Sequence, residues 1–155
     1  MSSASNKSEE FDGSVWTNGG DMLAGKRSHA AAGTQTAAVA IGGEGTQVNC
    51  QEYNGTCWVA GGDMTGSGKR QHASFGTLTT AIAMGGQGYL ATAEQYDGSS
   101  WSAIDSMPAG RKIFATFGSA TAGIAAGGQV SGDGSINITY KYVTDTLTAR
   151  TLTNS

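Results

Sequence analysis

The residues that could support chemistry recur along this chain at one spacing. Three pairs of basic residues occupy equivalent positions in the repeats. Because successive repeats should fold alike, we expect the three pairs to lie on one side of the fold. There they would bind an anionic partner, such as an acidic glycan or the acidic face of another protein. The alternative is that they pair with nearby aspartates or hydrogen-bond to loop carbonyl groups. The six residues are Lys26, Arg27, Lys69, Arg70, Arg111 and Lys112.

Two histidines share a second repeat position, but the pattern does not continue. His29 and His72 are equivalent, whereas Phe114 takes their place in the third copy. A metal site needs ligands that converge, which this spacing does not indicate. The chain also lacks a nucleophile elbow, a phosphate-binding loop, a dinucleotide fingerprint and a zinc pattern. We therefore predict no catalytic residues, no metal and no cofactor.

The two cysteines flank a predicted turn at Asn54-Gly55. With two residues in the turn, Cys57 would face Glu52 and lie diagonally from Cys50. A disulfide requires Cα atoms within about 7 Å, so this geometry is borderline. The sequence leaves both the bonded and the free forms open.

An internal repeat of 42 or 43 residues organises these positions. Each copy carries a basic pair, an apolar run that ends in two glycines, and an aromatic residue and turn followed by tryptophan. The tryptophans are predicted to pack between neighbouring sheets. The structural repeat positions are Trp16, Trp58, Trp101, Gly42, Gly43, Gly85, Gly86, Gly127 and Gly128.

Each repeat predicts four short strands and an all-β fold. The second strand alternates small and bulky apolar residues, as in residues 37–41, so one face meets a close neighbour and the other fills a gap. The third and fourth strands form a hairpin around Asp12-Gly13 or its equivalents, for which we expect a two-residue type I′ turn.

The paired glycines, the aromatic residue and the tryptophan at fixed spacing resemble the kelch motif. The likeness covers residues 9 to about 130. The sequence of these repeats is most similar to that of kelch repeats in environmental bacterial and phage structural proteins. The resemblance implies β-propeller blades, with the basic pairs on one rim and the first strands lining a central channel. Sealing between sheets by aromatic rings is consistent with this architecture.

The repeats supply about three four-stranded blades, too few to close a ring. Residues 1–130 hold an opening hairpin, two full units and a half unit, and residues 131–155 form a strand-like C-terminal segment. We expect oligomerisation to complete the ring, most simply as a homodimer of about six blades. In one arrangement the opening hairpin of one copy completes the half unit at 112–128 of the other. In the alternative, residues 136–153 complete that blade within the chain and leave the hairpin spare.

Composition narrows the classes of function. The 155 residues carry a formal net charge of −3, and only 14% are charged, so no basic field predicts nucleic-acid binding. No apolar run is long enough to predict membrane insertion, and the first ten residues lack the apolar core of a signal peptide.

We thus expect a non-enzymatic structural or binding module, a component of a virion or a cell surface. It would act through itself, other virion proteins or surface glycans. A carbohydrate-binding lectin is the first alternative, and an enzyme on the propeller axis is the second.

Overall fold

The computed structural model describes residues 4–45, 47–132 and 134–143, together with the backbone of residues 148–150. All regular elements in this part of the chain are short β-strands, because glycines and turn residues interrupt the apolar runs every few positions. The strands are β1 (Glu9–Phe11), β2 (Trp16–Asn18), β3 (Ala30–Thr34), β4 (Ala37–Ile41), β5 (Cys50–Tyr53), β6 (Trp58–Ala60), β7 (Ala73–Phe75), β8 (Ile82–Met84), β9 (Ala93–Tyr96), β10 (Trp101–Ile104), β11 (Ala115–Ser119), β12 (Ala122–Ala126), β13 (Gln129–Val130), β14 (Gly134–Ser135), β15 (Thr139–Val143) and β16 (Thr148–Arg150).

Twelve of these strands form three four-stranded antiparallel sheets, which we call blades. Blade 1 has the order β3-β4-β5-β6, blade 2 has β7-β8-β9-β10, and blade 3 has β11-β12-β15-β16. Strands β1 and β2 form a separate N-terminal hairpin, and β13 and β14 a second small one. Strand β3 contacts β7, and β7 contacts β11, so the first strands of the blades lie side by side. The all-β prediction with about three four-stranded blades is confirmed.

Blade 3 is completed by the C-terminal segment of the same chain. Strand β12 pairs with β15, with Gly123 opposite Tyr142 and Ala125 opposite Tyr140. Both tyrosines are buried. Alternate side chains of β15 therefore point to the same packed side of the sheet. In this chain β15 and β16 therefore complete blade 3, as in the C-terminal alternative, and they occupy the outer edge of β12. Residues 133, 144–147 and 151–155 of that predicted segment lie outside the described residues.

The hairpin turns are longer than the expected two residues. Phe11 pairs with Trp16, so four residues separate the strands, and Tyr53 pairs with Trp58 in the same way. The Asp12 carboxylate accepts hydrogen bonds from the backbone nitrogens of Ser14 and Val15, at 2.8 Å each. This side-chain turn replaces the type I′ geometry, because only the glycine that follows Asp12 has a positive φ.

The core lies in the layers between blades. Against blade 2, blade 1 presents bulky residues such as Val39 and Ile41, and these meet the small Ala81 and Ala83. Blade 2 repeats the arrangement with Ile82 against blade 3. The predicted alternation of small and bulky positions is thus what lets successive sheets pack closely.

Candidate functional site

The first member of each basic pair is buried rather than displayed. Lys26 is 6% exposed, Lys69 is 1% exposed and Arg111 is fully buried. The Lys26 ammonium donates hydrogen bonds to the carbonyl oxygens of Gly42 and Asn49, at 2.8 and 3.0 Å. Burial lowers the pKa of Lys26. These cations hold the loop between the second and third strands, which is the loop-carbonyl alternative raised from the sequence.

Lys69 and Arg111 are held by different partners. The Lys69 ammonium donates to Thr92 Oγ1 at 2.7 Å and lies 3.9 Å from the Glu94 carboxylate. The Arg111 guanidinium donates to the carbonyl oxygen of Gly127 at 2.8 Å and lies over the Tyr140 ring. Its Nε and Nη2 atoms are buried with no hydrogen-bond partner. Burial lowers the pKa of both side chains, which the Glu94 carboxylate opposes at Lys69.

The second members of the pairs lie nearer the surface. Glu44 forms ion pairs with Arg27 and, at 3.7 Å, with Arg70, so one carboxylate bridges two neighbouring units. The Lys112 ammonium lies 4.9 Å from the centroid of the Tyr89 ring. The expected rim of six available cations is therefore wrong, because three of the cations are buried and two share Glu44.

The two histidines occupy different environments despite their shared repeat position. His29 is exposed, whereas His72 is 7% exposed and neither of its ring nitrogens has a hydrogen-bond partner. Burial, together with the nearby Lys69 charge, lowers the pKa of His72 to about 3. Within the described residues, no group of three or more histidine, cysteine or acidic side chains could hold a metal ion.

The tryptophans become more exposed toward the N-terminus. The Trp101 indole is 3% exposed and donates to the Gly62 carbonyl oxygen at 3.0 Å. The half-buried Trp58 donates to Ser8 Oγ at 3.3 Å. Trp16 is 67% exposed, because no sheet precedes the N-terminal hairpin among the described residues. Each tryptophan thus seals its sheet against the preceding one, where that sheet exists.

A tyrosine–glutamate pair crosses two of the joints between sheets. Tyr53 donates a hydrogen bond to Glu10 of the N-terminal hairpin, and Tyr96 donates one to Glu52 of blade 1. Burial and the Glu52 contact raise the pKa of Tyr96 to about 12. These pairs were not predicted from the sequence, although an acidic residue directly precedes the aromatic residue in two of the three repeats.

The paired glycines sit where only glycine fits. All six have positive φ, between 62° and 129°, which glycine adopts without steric cost. A Cβ atom on Gly86 would lie 3.0 Å from the Arg70 carbonyl oxygen and 3.3 Å from the His72 Cβ. On Gly128 it would lie 2.7 Å from the Phe114 Cβ. The second glycine of each pair therefore makes room for the start of the first strand.

The two end sheets expose residues that are buried at equivalent positions inside. Phe75 of blade 2 is 4% exposed, whereas its counterpart Phe117 on blade 3 is 56% exposed. At the other end Phe11 is 45% exposed, whereas its counterpart Tyr53 is 5% exposed. The apolar surface that each joint normally covers is thus open at both ends of the stack.

A half-open cavity of about 310 Å³ lies between the N-terminal hairpin and blade 1. Aromatic rings, carboxylates and the small Ala38 surround it. The hairpin corresponds to the third and fourth strands of a blade, so the cavity lies where the first and second strands would stand. It is lined by Ser8, Glu9, Glu10, Phe11, Trp16, Thr34, Gln35, Ala38, Tyr53 and Trp58.

Both cysteines are free. Cys50 is buried in β5, and its burial raises the pKa of the thiol to about 11. Cys57 lies exposed in the four-residue turn rather than opposite Glu52, because Glu52 pairs with Val59. The longer turn is what separates the cysteines from the expected diagonal arrangement.

Comparison with known proteins supports the architecture. The sequence matches no protein-family model and no curated protein. In the part of the chain that the structure describes, no helix has the length and apolar content needed to cross a membrane. Similar solved structures include that of YjhT, with a TM-score of 0.70 and 14% sequence identity. The match covers 87% of this chain and 48% of the YjhT chain, so this chain spans about half of that neighbour's length. At this identity the likeness shows the fold alone, which is all-β with blade-like sheets.

Proposed function

We propose that this chain is a non-enzymatic, kelch-type binding and structural module that completes a propeller ring by pairing with a second copy. The observation that carries the proposal is the open apolar surface at both ends of the stack. Among the described residues, six of the eight exposed large hydrophobic side chains belong to the N-terminal hairpin and to the blade 3 region from residue 113 to 143. Such patches mark interaction sites on soluble proteins.

The number of blades supports a partner of the same size. Three blades are fewer than the four to eight that propellers carry. The chain also spans about half of the YjhT chain, so two copies would match the length of one such neighbour. A ring of two copies is closed and leaves no blade face uncovered.

The finer proposal concerns where such a ring acts. We propose that it is a component of a phage particle or of a bacterial surface apparatus, and that its loops make the contacts. Rigid blades with variable loops suit this role, because loops on a rigid scaffold commonly carry binding residues. The sequence of this chain resembles kelch repeats of phage and bacterial structural proteins. This resemblance supports the proposed place of action.

Light scattering coupled to size-exclusion chromatography tests self-assembly. We expect a molar mass of twice the 15.7 kDa chain mass at micromolar concentration. The variant Phe117→Ser should shift the mass toward one chain, because Phe117 is exposed on the open face of blade 3. The control Val59→Ser removes a side chain of 45% exposure on the outer strand of blade 1 and should leave the mass unchanged. A single-chain mass for the unmodified protein overturns the proposal.

The cavity beside the N-terminal hairpin favours carbohydrate binding as a second candidate. Trp16 and Trp58 line it together with Glu10, and aromatic rings beside carboxylates can stack on and hydrogen-bond to a sugar. Titration with a panel of mono- and oligosaccharides, followed by tryptophan fluorescence, tests this function. A saturable change that Trp16→Ala abolishes supports it, and the absence of any saturable change across the panel rejects it.

A further inference from the structure

The joint between two copies can be specified further if the proposed self-assembly holds, on which this inference rests. Four residues occupy one repeat position on the third strands. Glu9, Gln51 and Glu94 each stand seven residues before a repeat tryptophan. Tyr140 matches Glu94 by register, because it lies opposite Ala125 on β12 as Glu94 lies opposite Ala83 on β8.

In blades 2 and 3 this position lies beside the buried cation of its own blade, whereas Gln51 of blade 1 is bonded to the backbone of Leu23 and Ala24. In blade 2 the Glu94 carboxylate lies 3.9 Å from the Lys69 ammonium. In blade 3 the equivalent cation is Arg111, and the Tyr140 ring lies 4.2 Å from its Cζ atom. Arg111 is fully buried, with Nε and Nη2 unpartnered. Blade 3 therefore places a tyrosine beside its buried guanidinium, at the position where blade 2 places a carboxylate beside its buried cation.

Glu9 carries a carboxylate that could pair with such a guanidinium. Ser8 and Glu10 of the hairpin point toward blade 1, where they bind Trp58 and Tyr53. Because successive strand residues point to opposite faces, Glu9 lies on the open face with Phe11. The Glu9 side chain is exposed, and its carboxylate has no ion pair or hydrogen bond within the described residues.

The aromatic residues of the hairpin fit the same joint. Phe11 and Trp16 form a ring pair with centroids 5.1 Å apart, equivalent to the buried pair of Tyr96 and Trp101 at 4.9 Å. Phe11 is also the repeat counterpart of Tyr142, which packs edge-on against Phe75. The hairpin thus presents the aromatic pair of an inter-blade surface, and no sheet among the described residues packs against it.

The cavity beside the hairpin fits the other half of the joint. Phe75 packs on Gly123 of the next blade, where a Cβ atom would lie 2.3 Å from its ring. The counterpart of Gly123 in blade 1 is Ala38, which lines the cavity, and the counterpart of Phe75 in blade 3 is the exposed Phe117. A second copy's β11 and β12 would place Phe117 in that space.

Backbone groups at the two ends are complementary as well. Gln71 N donates to Ser28 O, and Ile113 N donates to Gln71 O, both at 2.9 Å, so a ladder runs from blade to blade. It stops with Ser28 N free on blade 1 and Ile113 O free on blade 3 in the described part of the chain. One more joint of the same kind would need a backbone donor on one blade and a backbone acceptor on the other. The free Ser28 nitrogen and the free Ile113 oxygen meet this need.

We propose that in the dimer the N-terminal hairpin of one copy replaces β15 and β16 at the outer edge of β12 in the other. Each joint is then a composite blade made of β11 and β12 from one chain and β1 and β2 from the other. Glu9 pairs with Arg111 of the second copy, opposite Ala125. In the isolated chain β15 occupies this edge, with Tyr140 covering Arg111.

Charge removal tests the predicted ion pair. Glu9→Gln should raise the dissociation constant of the dimer by about tenfold or more, because truncating one member of a buried charge pair is strongly unfavourable. The same variant should leave the thermal stability of dilute, dissociated chains unchanged, since Glu9 is exposed there. The control Asp21→Asn removes a charge whose contact with Lys7 is exposed, and it should leave the dissociation constant unchanged. An unchanged constant for Glu9→Gln overturns the pairing.

Cysteine cross-linking decides which strand pairs with β12. The background carries Cys50→Ala and Cys57→Ser, which copies the equivalent Ala93 and Ser100 of the next unit. Glu10→Cys with Ile124→Cys probes the composite blade, and we expect a covalent dimer on non-reducing electrophoresis. Lys141→Cys with Ile124→Cys is the matched control, because these residues are partners in the isolated chain and should form an intrachain disulfide at dilution.

The outcomes separate this inference from the proposed function. A covalent dimer from the first variant supports strand exchange. No covalent dimer, while light scattering still shows two chains and the control variant cross-links within one chain, overturns the exchange but leaves self-assembly intact. A single-chain mass for the unmodified protein overturns both.

Discussion

The hydroxyl group of Tyr96 in blade 2 donates a hydrogen bond to the carboxylate of Glu52 in blade 1. The same hydroxyl accepts a hydrogen bond from the backbone nitrogen of Gly62 at 3.1 Å. One side chain therefore ties together blade 1, the connection that follows it and blade 2. Tyr142 stands at the equivalent position of blade 3, but Gln95 replaces the glutamate there.

Removing the Tyr96 hydroxyl should weaken this joint. We expect Tyr96→Phe to lower the free energy of unfolding by about 1.5–3 kcal/mol, the range for hydrogen bonds to charged groups. Tyr142→Phe is the matched control and should change it by less than about 0.5 kcal/mol, because its hydroxyl has no described hydrogen bond. Urea denaturation measures both. Equal losses for the two variants would contradict a specific role for the Glu52 contact.

His72 should make the protein sensitive to acid. Its pKa is about 3 in the folded chain and near 6.5 when unfolded, so the folded state binds fewer protons between these values. The stability that the neutral imidazole contributes is complete above pH 6.5. We expect it to decline by about 1.4 kcal/mol for each pH unit between about 6 and 4.

A substitution taken from the chain itself isolates this effect. Phe114 occupies the His72 position in the third unit, so His72→Phe keeps a ring there without a titratable group. Denaturation at pH 7.5 and pH 4.5 should show a smaller loss for His72→Phe than for the unmodified chain. An NMR titration of His72 with a midpoint near 6.5 would refute the buried, neutral histidine.

The buried and surface members of a basic pair should differ in their contribution to stability. Lys26→Met leaves the Gly42 and Asn49 carbonyl oxygens without their buried donor, which should lower the free energy of unfolding by about 2–4 kcal/mol. Lys112→Met removes only a contact with the Tyr89 ring and should cost less than about 1 kcal/mol. Thermal and urea unfolding compare the two. The reverse order would contradict the assignment of Lys26 as a structural cation.

The two thiols should react at very different rates. Cys57 is exposed, whereas Cys50 is buried and burial raises the pKa of its thiol to about 11. Because the thiolate is the reactive form, we expect a thiol reagent at pH 8 to modify one cysteine per native chain and two after denaturation. Mass spectrometry of the modified chain identifies the site. Modification of Cys50 at the native rate of Cys57 would show that β5 opens readily.

Much of the fold follows from local sequence pattern. The 42- or 43-residue repeat, the alternation in residues 37–41 and the glycine pairs predict strand positions and close packing between sheets. Those features depend on the backbone geometry of a few neighbouring residues, which the sequence specifies directly. The predicted turn type failed because Asp12 binds the backbone of the next residues, which lengthens the turn to four positions.

The tertiary structure alone decided which polar groups are buried and which strand completes blade 3. Lys26 and Arg27 are adjacent and chemically alike, so only the path of the surrounding loops determines that Lys26 points inward. Two segments have the same pattern of a charged residue followed by an aromatic one, namely Glu10-Phe11 and Lys141-Tyr142. The sequence pattern therefore does not determine which of the two strands pairs with β12. In the isolated chain β15 takes the edge, because a strand joined to β12 by the same chain pairs with it at a lower entropic cost than a strand of a second copy.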